Sequence, residues 1–130
     1  MTGPSLGLLD TSVFVAREWG RPLAELPERV AVSVVTLGEL ELGVLMAGDD
    51  ETRSRRADTL ALARMAEPVP LGESTLSAWA RIVADCRSAG AHRTVRLTDA
   101  LIAATAVDRG LAVVTQDADY DAIARAHPAL

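Results

Sequence analysis

The chain has 130 residues, enough for one domain that buries its core without disulfides or a structural metal. Its net charge is −5 and every cationic side chain is arginine, so a phosphate-loop lysine, a Schiff base and a lysine partner for a phosphorylated aspartate are all excluded. The single cysteine, Cys86, excludes a disulfide framework and a cysteine zinc site, and no apolar run has the length of a membrane span or the form of a signal peptide. A soluble protein of a reducing cytoplasm is expected, folded as a single domain over residues 1–130. Nearly half its residues are hydrophobic but only Phe14, Trp19, Trp79 and Tyr120 are aromatic, so the core is aliphatic.

In chain order, residues 6–9 form a short apolar run that ends in Asp10. This predicts a buried strand followed by a helix over 11–19, stopped by Gly20 and Pro22. Residues 29–35 are mostly valine and alanine and predict a second buried strand. A helix over 36–47 follows, with Leu37, Leu40 and Val44 at helical spacing, and Asp49-Asp50-Glu51 opens another that runs to about residue 67. Residues 68–71, between prolines and Gly72, are a short strand candidate. The span 74–89 is the clearest amphipathic helix, with Leu76, Trp79, Val83 and Cys86 on one stripe. After Gly90 a polar loop leads to an almost wholly apolar helix over 98–109, capped by Gly110. A last buried strand over 111–115 runs into the acid-rich 116–121 and a final helix. Strands alternating with helices predict an α/β fold whose sheet is largely parallel and covered on both faces.

The acids are where chemistry is expected. Asp10 ends the first strand, and it is the hardest acid to assign to structure alone because Thr11 and Ser12 are available as helix caps. Glu39 follows the second strand in Thr36-Leu37-Gly38-Glu39, where the plain alternative is a capping box. Asp99 opens the apolar helix, where the plain alternative is a favourable helix-dipole contact. Asp117 and Asp119 follow Val113-Val114-Thr115, where turn and cap chemistry is the alternative. Taken together, two parallel strands ending in acids and two helices beginning with them aim four carboxylates at one sheet edge. Such a cluster repels itself unless a cation sits within it, and hard divalent cations select oxygen ligands. Metal-assisted phosphodiester hydrolysis is the chemistry this pattern favours.

Four segments, Leu8-Leu9-Asp10-Thr11-Ser12, Thr36-Leu37-Gly38-Glu39-Leu40, 98–104 with Thr98-Asp99-Ala100, and Thr115-Gln116-Asp117-Ala118-Asp119-Tyr120, resemble the motifs of the PIN-domain family in order and spacing. Within that family the whole chain looks like a VapC-type toxin of a type II toxin–antitoxin pair. The resemblance implies a three-layer α/β/α sandwich and a magnesium- or manganese-dependent endoribonuclease that cuts structured RNA, tRNA or rRNA, and inhibits translation. It implies that Asp10, Glu39, Asp99 and Asp117 are the catalytic, metal-binding acids, with Asp119 a secondary ligand and Thr11, Ser12 and Thr115 in support. It implies also a homodimer and a VapB-like antitoxin whose C-terminal segment blocks the acidic pocket. Family members usually finish with a further strand, whereas this sequence stops at His127-Pro128-Ala129-Leu130.

Other residues have plainer readings. His92 lies in a loop and His127 in a tail, and neither has a partner histidine at metal-ligand spacing. Cys86 belongs to the apolar stripe. Arg53, Arg55 and Arg56 are read as a solvated helix face pairing with Asp49, Asp50 and Asp58, with an RNA-backbone contact as the lesser alternative. Arg93 and Arg96, in the loop entering the Asp99 helix, are expected to hold RNA phosphate. The scarcity of aromatics argues against a general single-strand binder. Among rival functions, a haloacid-dehalogenase-like phosphatase needs a second aspartate where Ser12 stands, and a phospho-receiver module needs a lysine and an acid pair that are missing. A housekeeping PIN-domain RNA-processing nuclease keeps the same fold and acids.

Overall fold

A computed structural model describes residues 6–23, 26–90, 95–116 and 119–127, with backbone only at 119. In chain order its elements are β1 (Leu6–Leu9), α1 (Thr11–Glu18), β2 (Arg29–Ser33), α2 (Val34–Leu45), α3 (Asp50–Ala63), β3 (Glu67–Val69), α4 (Glu73–Ser88), α5 (Leu97–Arg109), β4 (Ala112–Val114) and α6 (Asp119–Ala126). The four strands form one sheet in the order β3-β2-β1-β4, and every pairing is parallel.

The register explains the layers. Leu8 lies opposite Ala31 and Val113, and Leu9 opposite Val32 and Val114. Because successive strand residues face opposite ways, the first set packs with Ala78 and Ile82 of α4, Ile102 and Ala103 of α5, and Ile123 of α6. The second set packs with Val13 and Phe14 of α1, Leu40 of α2, and Leu60 and Ala63 of α3. The result is the expected three-layer α/β/α sandwich, with apolar side chains on both sheet faces. Gly7 has a packing role in the central strand. A methyl group there would sit 2.8 Å from Pro27 Cγ and 3.1 Å from Val114 Cγ2. Gly110 ends α5 with φ 65°, a left-handed cap that glycine adopts at little cost.

Several boundaries differ from the sequence reading. The second strand stops at Ser33 rather than continuing to residue 35, and α2 begins at Val34. Ser33 Oγ accepts a hydrogen bond from the Val35 amide at 3.1 Å, and this cap turns two β-favouring valines into helix. The Thr36–Glu39 capping box is therefore not made, since both residues already lie inside α2. Helix α3 ends at Ala63, short of residue 67, because Glu67 joins the edge strand opposite Ala31. That strand covers 67–69 instead of 68–71, and Pro68 is tolerated there because an edge strand can forgo one donor.

The buried stripe of α4 is Thr75, Ala78, Ile82 and Cys86, rotated from the predicted one, and Leu76 is 47% exposed. Thr75 can occupy the core because its hydroxyl donates to Asp108 Oδ2 at 3.0 Å and accepts from the Gly72 amide at 3.1 Å. His127 is not loose: its Nδ1 stands 2.6 Å from Asp85 Oδ2 and ties the end of α6 to α4. The C-terminal strand question and His92 both fall outside the described residues.

Candidate active site

Asp10 leaves β1 with its amide still donating to Val114 O of β4 at 2.9 Å, then caps α1 in extended geometry (φ −75°, ψ 157°). The cap is thus Asp10 itself and not Thr11 or Ser12. The side chain is almost fully buried, and burial of a carboxylate requires donors. It has four. Oδ2 accepts from Ser12 Oγ at 2.7 Å, from the Ser12 amide at 3.3 Å and from Thr115 Oγ1 at 3.1 Å, while Oδ1 accepts from Tyr120 OH at 2.9 Å. Ser12 Oγ also accepts from the Gln116 amide at 2.9 Å, which fastens the loop after β4 to the start of α1.

Tyr120 is held firmly as the donor in this set. Burial is the main cause that raises its phenol pKa far above the ordinary value. The charge of Asp10, the hydrogen bond to it, and the charges of Asp99 and Glu39 push in the same direction. All three acids therefore act on one phenol. Nothing in the local pattern around residue 120 marked it for this role; only its position directly after the last motif acids hinted at it.

Glu39 projects from the second turn of α2, and its Oε1 accepts from Thr11 Oγ1 at 2.6 Å. The Thr11 hydroxyl also stands 3.1 Å from that of the fully buried Thr36. Asp99 is the third residue of α5 and only 2% exposed. Arg96, the N-cap residue of α5, reaches back over it with Nε 3.2 Å from Oδ2 and Nη2 3.3 Å from Oδ1, a two-pronged ion pair.

These residues meet at one cavity of about 770 Å³, lined by Asp10, Thr11, Ser12, Glu39, Arg96 and Gln116, with Arg21 and Pro22 on the α1 side. Asp99 is joined to the cavity through Arg96. Arg21 had no signal in the sequence beyond the Gly20–Pro22 helix stop, and it enters through the path of the chain after α1. Asp117 and Arg93 lie outside the described residues, as does the side chain of Asp119.

The arginine run on α3 departs from the solvated face expected of it. Arg53 does pair with Asp50 at 3.0 Å. Arg55 instead lies over the Trp19 ring, 4.7 Å from its centroid, and Arg56 donates to Gly43 O at 2.7 Å.

Among the described residues, no three His, Cys, Asp or Glu side chains are grouped closely enough to hold a metal ion by themselves. The donors around the cavity are nevertheless oxygens only, carboxylates with hydroxyls beside them. That chemistry fits a hard cation, and magnesium takes one or two protein carboxylates while keeping several waters. Asp10 and Glu39, which both line the cavity, are carboxylates of that kind.

The family model for the PIN domain matches residues 7–126. The chain is 67% identical over 101 residues to Ribonuclease VapC8 of Mycobacterium tuberculosis, covering 78% of this chain and 90% of that protein. It is 44% identical over 124 residues to Ribonuclease VapC5 of the same species, covering 94% and 90%. Among solved structures, a chain of VapBC-5, a member of the VapBC family of toxin–antitoxin systems from Mycobacterium tuberculosis, superposes with a TM-score of 0.83 at 41% identity, covering 92% of this chain and 91% of that one.

Proposed function

The chain belongs to the PIN-domain family, and from that premise we propose that it is a magnesium-dependent endoribonuclease, the toxin of a VapBC-type pair, acting on structured RNA in the cytoplasm. The observation that carries the reading is the convergence of Asp10, Glu39 and the Arg96–Asp99 pair on one cavity rimmed by arginine. In this reading Asp10 and Glu39, with Asp99 and Asp117, hold the ion, and manganese substitutes for magnesium. When bound, the ion supplies an activated water and charge neutralisation for an in-line displacement at phosphorus. The chain's own groups do the rest. Thr11 orients Glu39, while Ser12, Thr115 and Tyr120 fix Asp10. Arg21 and Arg96 offer planar donors to the phosphate. The P–O3′ bond breaks as the P–O bond to water forms, leaving a 5′-phosphate and a 3′-hydroxyl. Arg93, from its place in the sequence just before the Asp99 helix, adds a phosphate contact, and Asp119 takes the secondary metal role that its motif position implies.

A cognate VapB-like antitoxin fits the same cavity, since an arginine presented to these carboxylates would make a charge-assisted pair there; a homodimer accompanies this reading. The test is RNA cleavage with and without magnesium by the parent, Asp10→Asn and Asp99→Asn, with circular dichroism to verify folding. Cleavage by either variant should fall by more than about a hundredfold, as expected when several kcal/mol of metal-borne stabilisation is lost. Chelator-resistant cleavage that persists in both variants would refute the metal centre.

A further inference from the structure

A second recess adjoins the acidic cavity and shares Thr11, Val15 and Glu39 with it. It continues along α1 past Glu18 to Trp19 and is closed on the far side by Gly43 and Arg56. Thr11, Val15 and Trp19 are spaced four residues apart, so they lie in one row along the helix, and Trp19 sits about 12 Å from the acid end. Trp19 is 57% exposed, an unusual situation for the largest side chain in an otherwise aromatic-poor protein.

The indole is nevertheless held in place. Arg55 stacks on it at 4.7 Å from the ring centroid. Arg55 is anchored in turn beside Glu18, whose side chain is 7% exposed and whose Oε1 accepts from Thr59 Oγ1 at 2.8 Å. Arg56 donates one N–H to Gly43 O and has further donors on the recess side. The combination is a fixed aromatic face backed by a guanidinium, next to a second guanidinium, at the end of a groove that starts at the carboxylates.

Resting on the ribonuclease reading above, we propose that this groove is a substrate subsite. The base of an unpaired nucleotide next to the scissile phosphate stacks on Trp19, and Arg56 binds the adjoining phosphate. Base stacking on an aromatic contributes about 1–3 kcal/mol and tolerates any base, because every base has a π-face. The backing arginine adds a cation–π contact that keeps the ring in a single orientation. One stacked base close to the cleavage point selects RNA whose strand is locally open, which is a recognition of loops and not of long single strands.

The experiment measures binding in EDTA, where no cleavage occurs, with an oligoadenylate of roughly ten nucleotides, within the usual single-strand site range, and an abasic sugar–phosphate strand of equal length. Oligoadenylate should quench part of the parent's tryptophan emission. Trp19→Phe should bind almost as tightly without that quenching, since only Trp79 remains to report. Trp19→Leu should lose about tenfold in affinity for oligoadenylate and nothing for the abasic strand. Equal affinity of the parent and Trp19→Leu for oligoadenylate would overturn the subsite. So would a Trp19→Leu variant that keeps its RNA affinity but loses a co-expressed antitoxin, because the surface would then dock protein. Quenching by oligoadenylate in a parent that fails to cleave RNA in magnesium would uphold the subsite and refute the nuclease reading alone. Cleavage by a parent whose emission no base-bearing strand changes would refute the subsite alone.

Discussion

At the scale of single residues, Asp10 and Tyr120 are joined by a buried hydrogen bond of 2.9 Å. A buried carboxylate keeps its charge only while donors surround it, and the phenol is the donor that comes from farthest away in sequence. Replacing Tyr120 with phenylalanine removes one hydrogen bond to a charged group, so the variant should lose about 2 kcal/mol of stability at neutral pH, read as a lower urea midpoint. The pH dependence has a definite sign. The phenol pKa is raised in the folded protein. The stability linked to its proton is therefore complete below the unfolded-state value near 10 and is lost as pH rises beyond it, at about 1.4 kcal/mol per unit. Alkaline unfolding of the parent should show this additional slope and that of Tyr120→Phe should lack it. Equal slopes would mean that the phenol is not held neutral by its site. Trp19 belongs to the same scale: its neighbours on α1 were legible as helix, but its stacking on Arg55 of α3 was not.

At the scale of elements, most of the path to the site is local. The apolar runs over 6–9 and 29–33 form strands because β-branched and aliphatic residues pack well in a sheet buried on both faces. The start of α2 lies two residues earlier than the sequence suggests because Val34 and Val35, β-favouring by composition, are drawn into the helix by the Ser33 hydroxyl cap. This shifts Glu39 from a capping position to the second turn of α2, where it meets Thr11. Substituting Ser33 by alanine should cost about 1 kcal/mol, measured by thermal melting. It should also loosen Glu39 enough to lower RNA cleavage by a few-fold. A variant with the parent's stability would mean that the valines begin the helix without help. The buried face of α4 was displaced for a related reason: Asp108 of α5 gives Thr75 a partner, and a threonine so paired goes inside while Leu76 goes outside.

At the scale of the whole molecule, a net charge of −5 leaves room for local phosphate contacts because arginines stand beside the carboxylates. Arg21 and Arg96 line the acidic cavity, and Arg56 lines the adjoining recess. Phosphate contacts from so few arginines predict RNA binding that weakens with added salt, but gently. The converging carboxylates make a second prediction. An ion that binds the folded chain stabilises it by mass action, about 2.7 kcal/mol at a hundred times its dissociation constant. The melting temperature should therefore climb with magnesium or manganese concentration and return on chelation, and Asp10→Asn should remove most of the response. A parent whose melting ignores both ions would exclude their binding at these acids. No helix among the described residues is long and apolar enough to cross a membrane.

The sequence by itself determined the alternation of strands and helices, the aliphatic core, and the places of Asp10 and Asp99 at helix starts, because periodicity, caps and composition act within a few residues. It also carried the motif order that identifies the family. The tertiary structure alone decided which groups attend those acids. Tyr120 reaches Asp10 across 110 positions, and Thr11 reaches Glu39 across 28. Arg55 reaches Trp19 from another helix. Such contacts depend on the order β3-β2-β1-β4, which sets which strand ends are neighbours, and no local pattern encodes that order. A hydroxyl or guanidinium looks the same in sequence whether it faces water or a buried carboxylate, and only the packed sheet distinguishes the two.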